Sequence, residues 1–459
     1  MPEDPIQHVV VLMLENNSFD RMLGCMKAVF PQLEGIEPNA PPFENPDYPD
    51  TTHKFAQLPV ANRTVPVDPA HDLDDVLRQV DDGLCDGFVA DLAQHKPKAP
   101  ELERYQIMAY FKRGHLPVLH ALAEQFLIAD HWFSSVPGPT WPNRFFVNSG
   151  TSLGHVDMPE GFFHPAIHLY DQPTVFQRLS EKNVTWRIYF GDVPQTLVMI
   201  EQLRFPTNYR KLDRFSADTA GEADTFPQYV FIEPSYFGAG QNDEHPPTDV
   251  MHGEALIASI YNALRGNETL WQSTLFVVLY DEHGGFCDHV PPPTTVAPDD
   301  HTKQFSFQDL GVRVPAILIS PWVDPGVLPT VFDHTSLLRY LTDKWALGPL
   351  GSRVPQANSF AAELTKRPNG RTDCIALLPI PDRQPNDANP ALNAHQVALA
   401  GFTHYLEINH TKPDTGTVAA HSTAMAQDFS AQSRAVTERV DAFLVKAARD
   451  DGHPADTAS

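Results

Sequence analysis

The stretch VVVLMLENNSFD, Val9 to Asp20, decides how the chain is read. Its apolar, β-favouring run describes a strand buried on both faces. It stops abruptly at Glu15-Asn16, an odd place to lose hydrophobicity unless a carboxylate and an amide are needed there. A second stretch repeats the pattern. TLFVVLYDEHGGFCDHVPPP, starting at Thr274, runs through an apolar strand into Asp281-Glu282. In open α/β sheets, ligands sit beyond the carboxyl ends of the strands. Neighbouring strand residues point to opposite faces, so both members of a pair serve one site only where the strand has just ended. Gly284-Gly285 then lets the backbone turn sharply and approach a ligand. Three carboxylates and one amide oxygen make a set of hard ligands, suited to a hard or intermediate divalent cation. The competing reading is that each acid caps a nearby helix.

Working outward, strand-like runs alternate with helical ones. Strands are expected at His8–Leu14, Phe126–Asp130, Val184–Phe190, Gln228–Ile232, Leu275–Tyr280 and Val314–Ser320. Several are apolar on both faces, the mark of a parallel sheet covered by helices. Helices are expected at Val118–Gln125, Val175–Glu181 (with Thr174 as N-cap), Val250–Leu264 and Ser336–Leu347. This rhythm predicts an α/β three-layer sandwich. Residues 1–385 form the main domain in this reading. Residues 386–459 form a C-terminal helical appendage packed on or beside it, with helices at Gln396–Glu407 and Met425–Ala448. In the latter, Val436, Val440, Phe443, Leu444 and Ala447 fall at helical spacing. The segment from Pro31 to Pro69 reads as loop.

Composition narrows the function classes. The 459 residues carry a formal net charge of −25, which repels nucleic acid and anionic membranes and excludes nucleic acid as a default partner. No apolar run approaches the roughly 18 residues needed to cross a bilayer. The N-terminus, MPEDPIQ, has no basic region, apolar run or twin arginine, so the expectation is a cytoplasmic chain, or a secreted one if it has been processed. Cys25, Cys85, Cys287 and Cys374 form no CxxC pair. They read as free, partly buried thiols, with one or two disulfides as the alternative.

A nucleophile candidate lies in SVPGPTWPNRFF. Thr140 stands between Pro139 and Trp141-Pro142, where proline stiffens the backbone. A stiff backbone suits a hydroxyl that must meet a phosphorus atom in line; a rigid structural turn is the bland alternative. Most of the 21 histidines must be bystanders. His283, His289 and His334 flank turns or begin helices. His71 and His245 carry more weight, because each sits in a loop-like segment full of acids.

Seven segments occur in order: VVVLMLENNSFD, HDLDDVLRQVDDGLCDGF, SVPGPTWPNRFFVNSGTS, QYVFIEPSYFG, NDEHPPTDVMHGEALIASIYNAL, YDEHGGFCDHVPPP and FDHTSLLRYL. Together they resemble the phosphoesterase family of bacterial phospholipases C, plant non-specific phospholipases C and related acid phosphatases, over roughly residues 8–350. The resemblance implies an alkaline-phosphatase-like α/β fold. It implies that Glu15, Asn16, Asp281 and Glu282 hold a divalent metal ion (Ca, Mg, Mn, Fe or Zn), that Thr140 is the nucleophile and also touches the metal, and that His71 and His245 bind phosphoryl oxygens and handle protons. One departure is Asn17, where the family usually has Arg; it bears on local packing around the metal ligands.

The expected function is therefore a metal-dependent phosphoester hydrolase. In the leading version it is a phospholipase C that cleaves glycerophospholipids to diacylglycerol and a phosphorylated head group through a phosphothreonine, with transient contact to a lipid surface. The near alternative is an acid phosphatase on the same scaffold. A third, from another class, is a phospho-ligand binding protein without turnover. A phospholipase needs an apolar mouth, for which Phe145, Phe146, Phe162, Phe163 and Tyr236 are candidates, although aromatic residues are more often plain core. The chain's acidity favours a zwitterionic lipid over an anionic one. Oligomeric state is not legible in the sequence.

Overall fold

The computed structural model describes residues 4–159, 170–386, 391–450 and 452. An eight-stranded sheet runs through its centre. Its strands are β1 (His8–Leu14), β2 (Leu127–Ala129), β3 (Trp186–Phe190), β4 (Tyr209–Lys211), β5 (Tyr229–Glu233), β6 (Thr274–Tyr280), β7 (Ala316–Ile319) and β8 (Gly326–Leu328). Their spatial order is β8-β2-β7-β6-β1-β5-β3-β4. Every residue of β1, β5 and β6 is buried, so both faces of the central sheet are covered. Each fully buried aliphatic side chain there contributes about 1.5–3 kcal/mol.

All six expected strands form, within two residues at each end. The expectation of a parallel sheet needs correction. β7 runs antiparallel to both β6 and β2, while the other pairings are parallel. An antiparallel neighbour needs no crossover helix. The chain between β6 and β7 therefore stays at the carboxyl edge of the sheet, where it builds the site instead of crossing a face.

The helices that matter here are α1 (Phe19–Leu23), α2 (Leu73–Val80), α3 (Leu119–Gln125), α4 (Thr140–Ser149), α5 (Val175–Glu181), α6 (Met251–Arg265) and α7 (His334–Trp345). Thr174 caps α5 as expected, its side chain accepting from the Gln177 amide. The loop from Pro31 to Pro69 includes a short antiparallel pair, Glu44–Pro46 with Lys54–Ala56. All four cysteines are free and buried. Among the described residues, no helix is long and apolar enough to cross a membrane.

The C-terminal region is helical: α8 (Ala394–Leu406), α9 (Thr415–Ala424) and α10 (Phe429–Asp450). Val436, Val440, Phe443 and Leu444 are buried as their spacing predicts, whereas Ala447 is only half-buried. They join Leu399, Phe402 and Leu406 in the same apolar core as the sheet. Helix α9 is not legible in the sequence, because none of its residues is buried and it carries no apolar stripe.

One buried ion network ties the loop after β1 to the loop after β6. Arg313 donates from Nε to Asp288 (2.8 Å), from Nη2 to Asp20 (3.1 Å), and from Nη1 to the carbonyls of Glu34 and Asp130. Asp20 also accepts from Gln57 and from His289 Nδ1. Replacing Arg313 by Met leaves two buried carboxylates without their guanidinium, and should lower stability by about 3–5 kcal/mol in urea unfolding. Burial disfavours a charged His289, but Asp20 and Asp288 outweigh it and push the ring up to about 9. Stability from a raised pKa is complete below the unfolded value and is lost as pH rises through the folded one. The melting temperature should therefore fall between roughly pH 6.5 and pH 9, and a His289→Gln variant should show a shallower fall across that window.

Candidate active site

Strand register brings the two polar tips together. Leu14 of β1 lies opposite Tyr280 of β6, so Glu15 and Asp281 follow at the same level. The Asp281 amide donates to the Leu14 carbonyl (3.1 Å), and the Asn17 amide donates to the Glu282 carbonyl (3.1 Å). Asn16 takes φ +54°, a left-handed conformation that asparagine tolerates better than most residues. Gly284 also lies in that region, at φ +64°, and a Cβ there would stand 2.5 Å from the Asn16 carbonyl oxygen. The glycine predicted to allow close approach does so against the other strand tip.

Thr140 is the first residue of α4, the helix that packs beneath these tips. Asn143 locks the loop before it: its amide donates to the carbonyls of Val136, Gly138 and Pro139 and accepts from the Val136 amide. One turn after Thr140, on the same helical face, Arg144 is completely buried. Its Nε donates to Asp281 Oδ2 (3.0 Å), its Nη2 lies 3.2 Å from Glu15 Oε1, and its Nη1 donates to the Tyr236 hydroxyl (2.9 Å). Arg144 thus anchors the helix of Thr140 to both strand tips. The N-terminus of α4, which no side chain caps, favours an anion there.

His71 and His245 come together, with ring centroids 6.3 Å apart. His71 Nε2 lies 3.4 Å from Asn16 Nδ2 and 3.8 Å from Glu282 Oε1, and its Nδ1 meets the Pro69 carbonyl at 2.7 Å. His245 Nδ1 meets the Pro246 carbonyl at 2.6 Å, and its Nε2 lies 3.8 Å from Asp68. In both rings a backbone carbonyl occupies Nδ1, which leaves Nε2 for chemistry.

The electrostatics are unbalanced. Burial pushes the carboxyls of Glu15, Asp281 and Glu282 upward, against the pull of Arg144 on the first two and of His71 on the third. Burial opposes a charged His71, but Glu282 and Asp68 outweigh it and raise its pKa. Both oxygens of Glu15, Asn16 Oδ1 and Glu282 Oε1 are buried with no hydrogen-bond partner among the described residues. Arg144 meets Glu15 Oε1 as an ion pair at 3.2 Å; the other oxygens are costly to bury unless something positive meets them. Four hard donors on two adjacent tips fit a divalent cation. Two tighter acid–histidine clusters, Asp20–Asp288–His289 and Asp75–Asp91–His95, lie elsewhere. Each of those also meets an arginine, Arg313 in the first and Arg78 in the second, and unlike the strand tips neither keeps a carboxylate oxygen among the buried, unpartnered ones.

The remaining expected candidates divide cleanly. His283 bonds Gln79 and burial pushes it down to about 3, while His334 holds the Asp281 carbonyl from below (2.7 Å) and is pushed down to about 4. Both are scaffolding. Phe145, Phe146 and Tyr236 do not wall a mouth; all three are buried in the core. Phe145 packs on Trp141 and Tyr170, and Phe146 on Phe307. Phe162 and Phe163 lie outside the described residues. Asn17, the departure from the family pattern, accepts from Arg21 Nε and donates to the Glu15 carbonyl, so it braces the loop. Two site residues escaped the sequence reading. Arg144 was legible only through its spacing from Thr140. His395, on α8, places Nε2 3.6 Å from Glu15 Oε1 and carried no local signal.

The Phosphoesterase family model matches residues 6–348. Non-specific phospholipase C3 of Arabidopsis thaliana is 34% identical over 409 residues, covering 82% of this chain and 76% of that protein. Phospholipase C B of Mycobacterium tuberculosis is 27% identical over 444 residues, covering 85% and 81%. A solved alkaline phosphatase superfamily protein from Vibrio parahaemolyticus aligns over 53% of this chain and 64% of its own, at 10% identity and a TM-score of 0.31, too distant a likeness to carry weight. A match across three quarters of the chain, spanning both strand tips, α4 and both loop histidines, establishes that this hydrolase of phosphoric ester bonds belongs to the Phosphoesterase family.

Proposed function

We propose that the chain is a metal-dependent phospholipase C that cleaves glycerophospholipids through a phosphothreonine at Thr140. The observation that carries the reading is the set of buried, unpartnered oxygens of Glu15, Asn16 and Glu282 at the strand tips, beside the helix that begins with Thr140. Similarity to plant and bacterial proteins named phospholipase C supports the substrate class.

In this reading Glu15, Asn16, Asp281 and Glu282, with Thr140, hold a divalent cation. Bound there, the cation supplies Lewis-acid stabilisation of phosphoryl charge and favours ionisation of a hydroxyl that is otherwise a poor nucleophile. Thr140 Oγ attacks phosphorus in line. Its bond to phosphorus forms as the bond from phosphorus to the glycerol oxygen breaks. Diacylglycerol leaves carrying a proton given by a histidine, and the proton of Thr140 passes to solvent. Asn16 Nδ2 and the histidine Nε2 atoms donate to the equatorial oxygens. The protonated Nε2 of one of the paired histidines, His71 or His245, serves the leaving oxygen and then takes a proton from the attacking water. The water's hydroxyl bonds to phosphorus as the bond from phosphorus to Thr140 Oγ breaks; the histidine keeps the water's proton for the next cycle, Thr140 regains a proton from solvent, and the phosphorylated head group is released.

One observation favours the phosphomonoesterase alternative: Phe145, Phe146 and Tyr236 are core residues and form no acyl-chain wall. Phosphatidylcholine assayed beside p-nitrophenyl phosphate separates the two. Release of diacylglycerol carries the phospholipase reading, and turnover of the monoester alone replaces it.

Thr140→Ala should lower kcat by roughly a thousandfold or more with its circular dichroism unchanged; full turnover in that variant removes the covalent mechanism. Exhaustive chelation should abolish turnover, and only one or two of Ca, Mg, Mn, Fe and Zn should restore it. Elemental analysis of chelator-free protein identifies the native ion, and undiminished activity in metal-free protein would defeat the metal assignment.

A further inference from the structure

We propose that His395, delivered by the C-terminal helix α8, is a positioning residue that fixes the carboxylate of Glu15; this rests on the reading of Glu15 as a cation ligand. The argument begins with hydrogen-bond polarity. Trp141 directly follows Thr140, and its indole Nε1 meets His395 Nδ1 at 3.1 Å. An indole N–H can only donate, so Nδ1 carries the lone pair and the ring proton sits on Nε2. That proton is turned toward Glu15 Oε1, 3.6 Å away. His395 Nε2 has no hydrogen-bond partner among the described residues, and neither has Glu15 Oε1. A buried donor without a partner, facing a carboxylate oxygen that makes an ion pair but no hydrogen bond, is one small side-chain adjustment short of forming one.

The ring has little freedom to turn elsewhere. It packs on Tyr236 at 4.6 Å between centroids and edge-on against Trp141. Its helix is held in place next door, where Gln396 Nε2 donates to the Tyr236 carbonyl (2.6 Å). Arg144 approaches the same oxygen, Glu15 Oε1, at 3.2 Å. Two donors therefore converge on Oε1, and Oε2 is left as the atom for the cation. Groups that orient a ligating carboxylate in this way typically govern metal affinity by roughly ten- to hundredfold. The proposal also makes α8 a working part of the site, supplied from beyond the segment that the family model covers.

Two substitutions separate positioning from packing. His395→Asn puts an acceptor where Nδ1 stood and keeps the Trp141 bond, but falls short of Glu15. His395→Gln reaches Glu15 with an N–H donor and gives up the Trp141 bond. The readout is equilibrium binding of the native divalent cation alone, by competition with a chelating dye on full-length protein, with melting temperature measured alongside. H395N should bind the cation roughly ten- to hundredfold more weakly than wild type, and H395Q within about threefold of it. Wild-type affinity in H395N overturns the proposal. So does H395Q binding as weakly as H395N, because returning an N–H donor to Glu15 would then restore nothing. If H395N does not fold, His395→Phe, which fills the site without any donor, is read in its place. Wild-type protein that binds no divalent cation fails the metal reading itself, and this inference falls with it; a wild-type protein that binds one while H395N binds equally well fails this inference alone.

Discussion

The parallel pairing of β1 with β6, in the register that sets Leu14 beside Tyr280, is the constraint on which the rest depends. A slip of one residue would turn every side chain of the strand to the opposite face. It would also separate Glu15-Asn16 from Asp281-Glu282, and with them the orphaned oxygens. The continuous burial of both strands specifies that register, because apolar side chains line both faces and the first polar residues must lie past the edge of the sheet. The site is thus a consequence of where two hydrophobic runs end.

Charge then determines what surrounds the tips. Two buried carboxylates, Glu15 and Asp281, meet one guanidinium, Arg144, which also bonds the Tyr236 hydroxyl, while the third, Glu282, faces His71 and His283 instead. A second network, around Arg313, lies along the loop that carries Asp288 and His289 and is internally matched. The contrast is informative. Where Asp20 and Asp288 share a guanidinium, the structure needs nothing further. Where Glu15 and Glu282 keep oxygens without partners, it has room for a positive charge from outside.

The same contrast explains which residues are legible as candidates in the sequence. Glu15, Asn16, Asp281 and Glu282 stood out because polar residues interrupt long apolar runs. His71 and His245 stood out because acids surround them. The aromatic residues offered no such discrimination: Phe145 and Phe146 look the same in a sequence whether they line a mouth or fill a core, and here they fill the core. The reversed direction of β7 was also hidden, since strand direction follows from how the connecting chain is routed.

By itself the sequence determined the class of fold, the places where strands end, the stiff threonine between prolines and the glycine pair that permits a close turn. These follow from local rules, namely apolar periodicity, proline's fixed φ and glycine's missing Cβ. Only the tertiary structure decided that Arg144 bridges both tips, that His71 and His245 share one pocket of space, and that a histidine from the far end of the chain turns its proton toward Glu15. Such contacts depend on distances between segments remote in sequence, and those distances are set by packing of the whole core, not by any pattern within a segment.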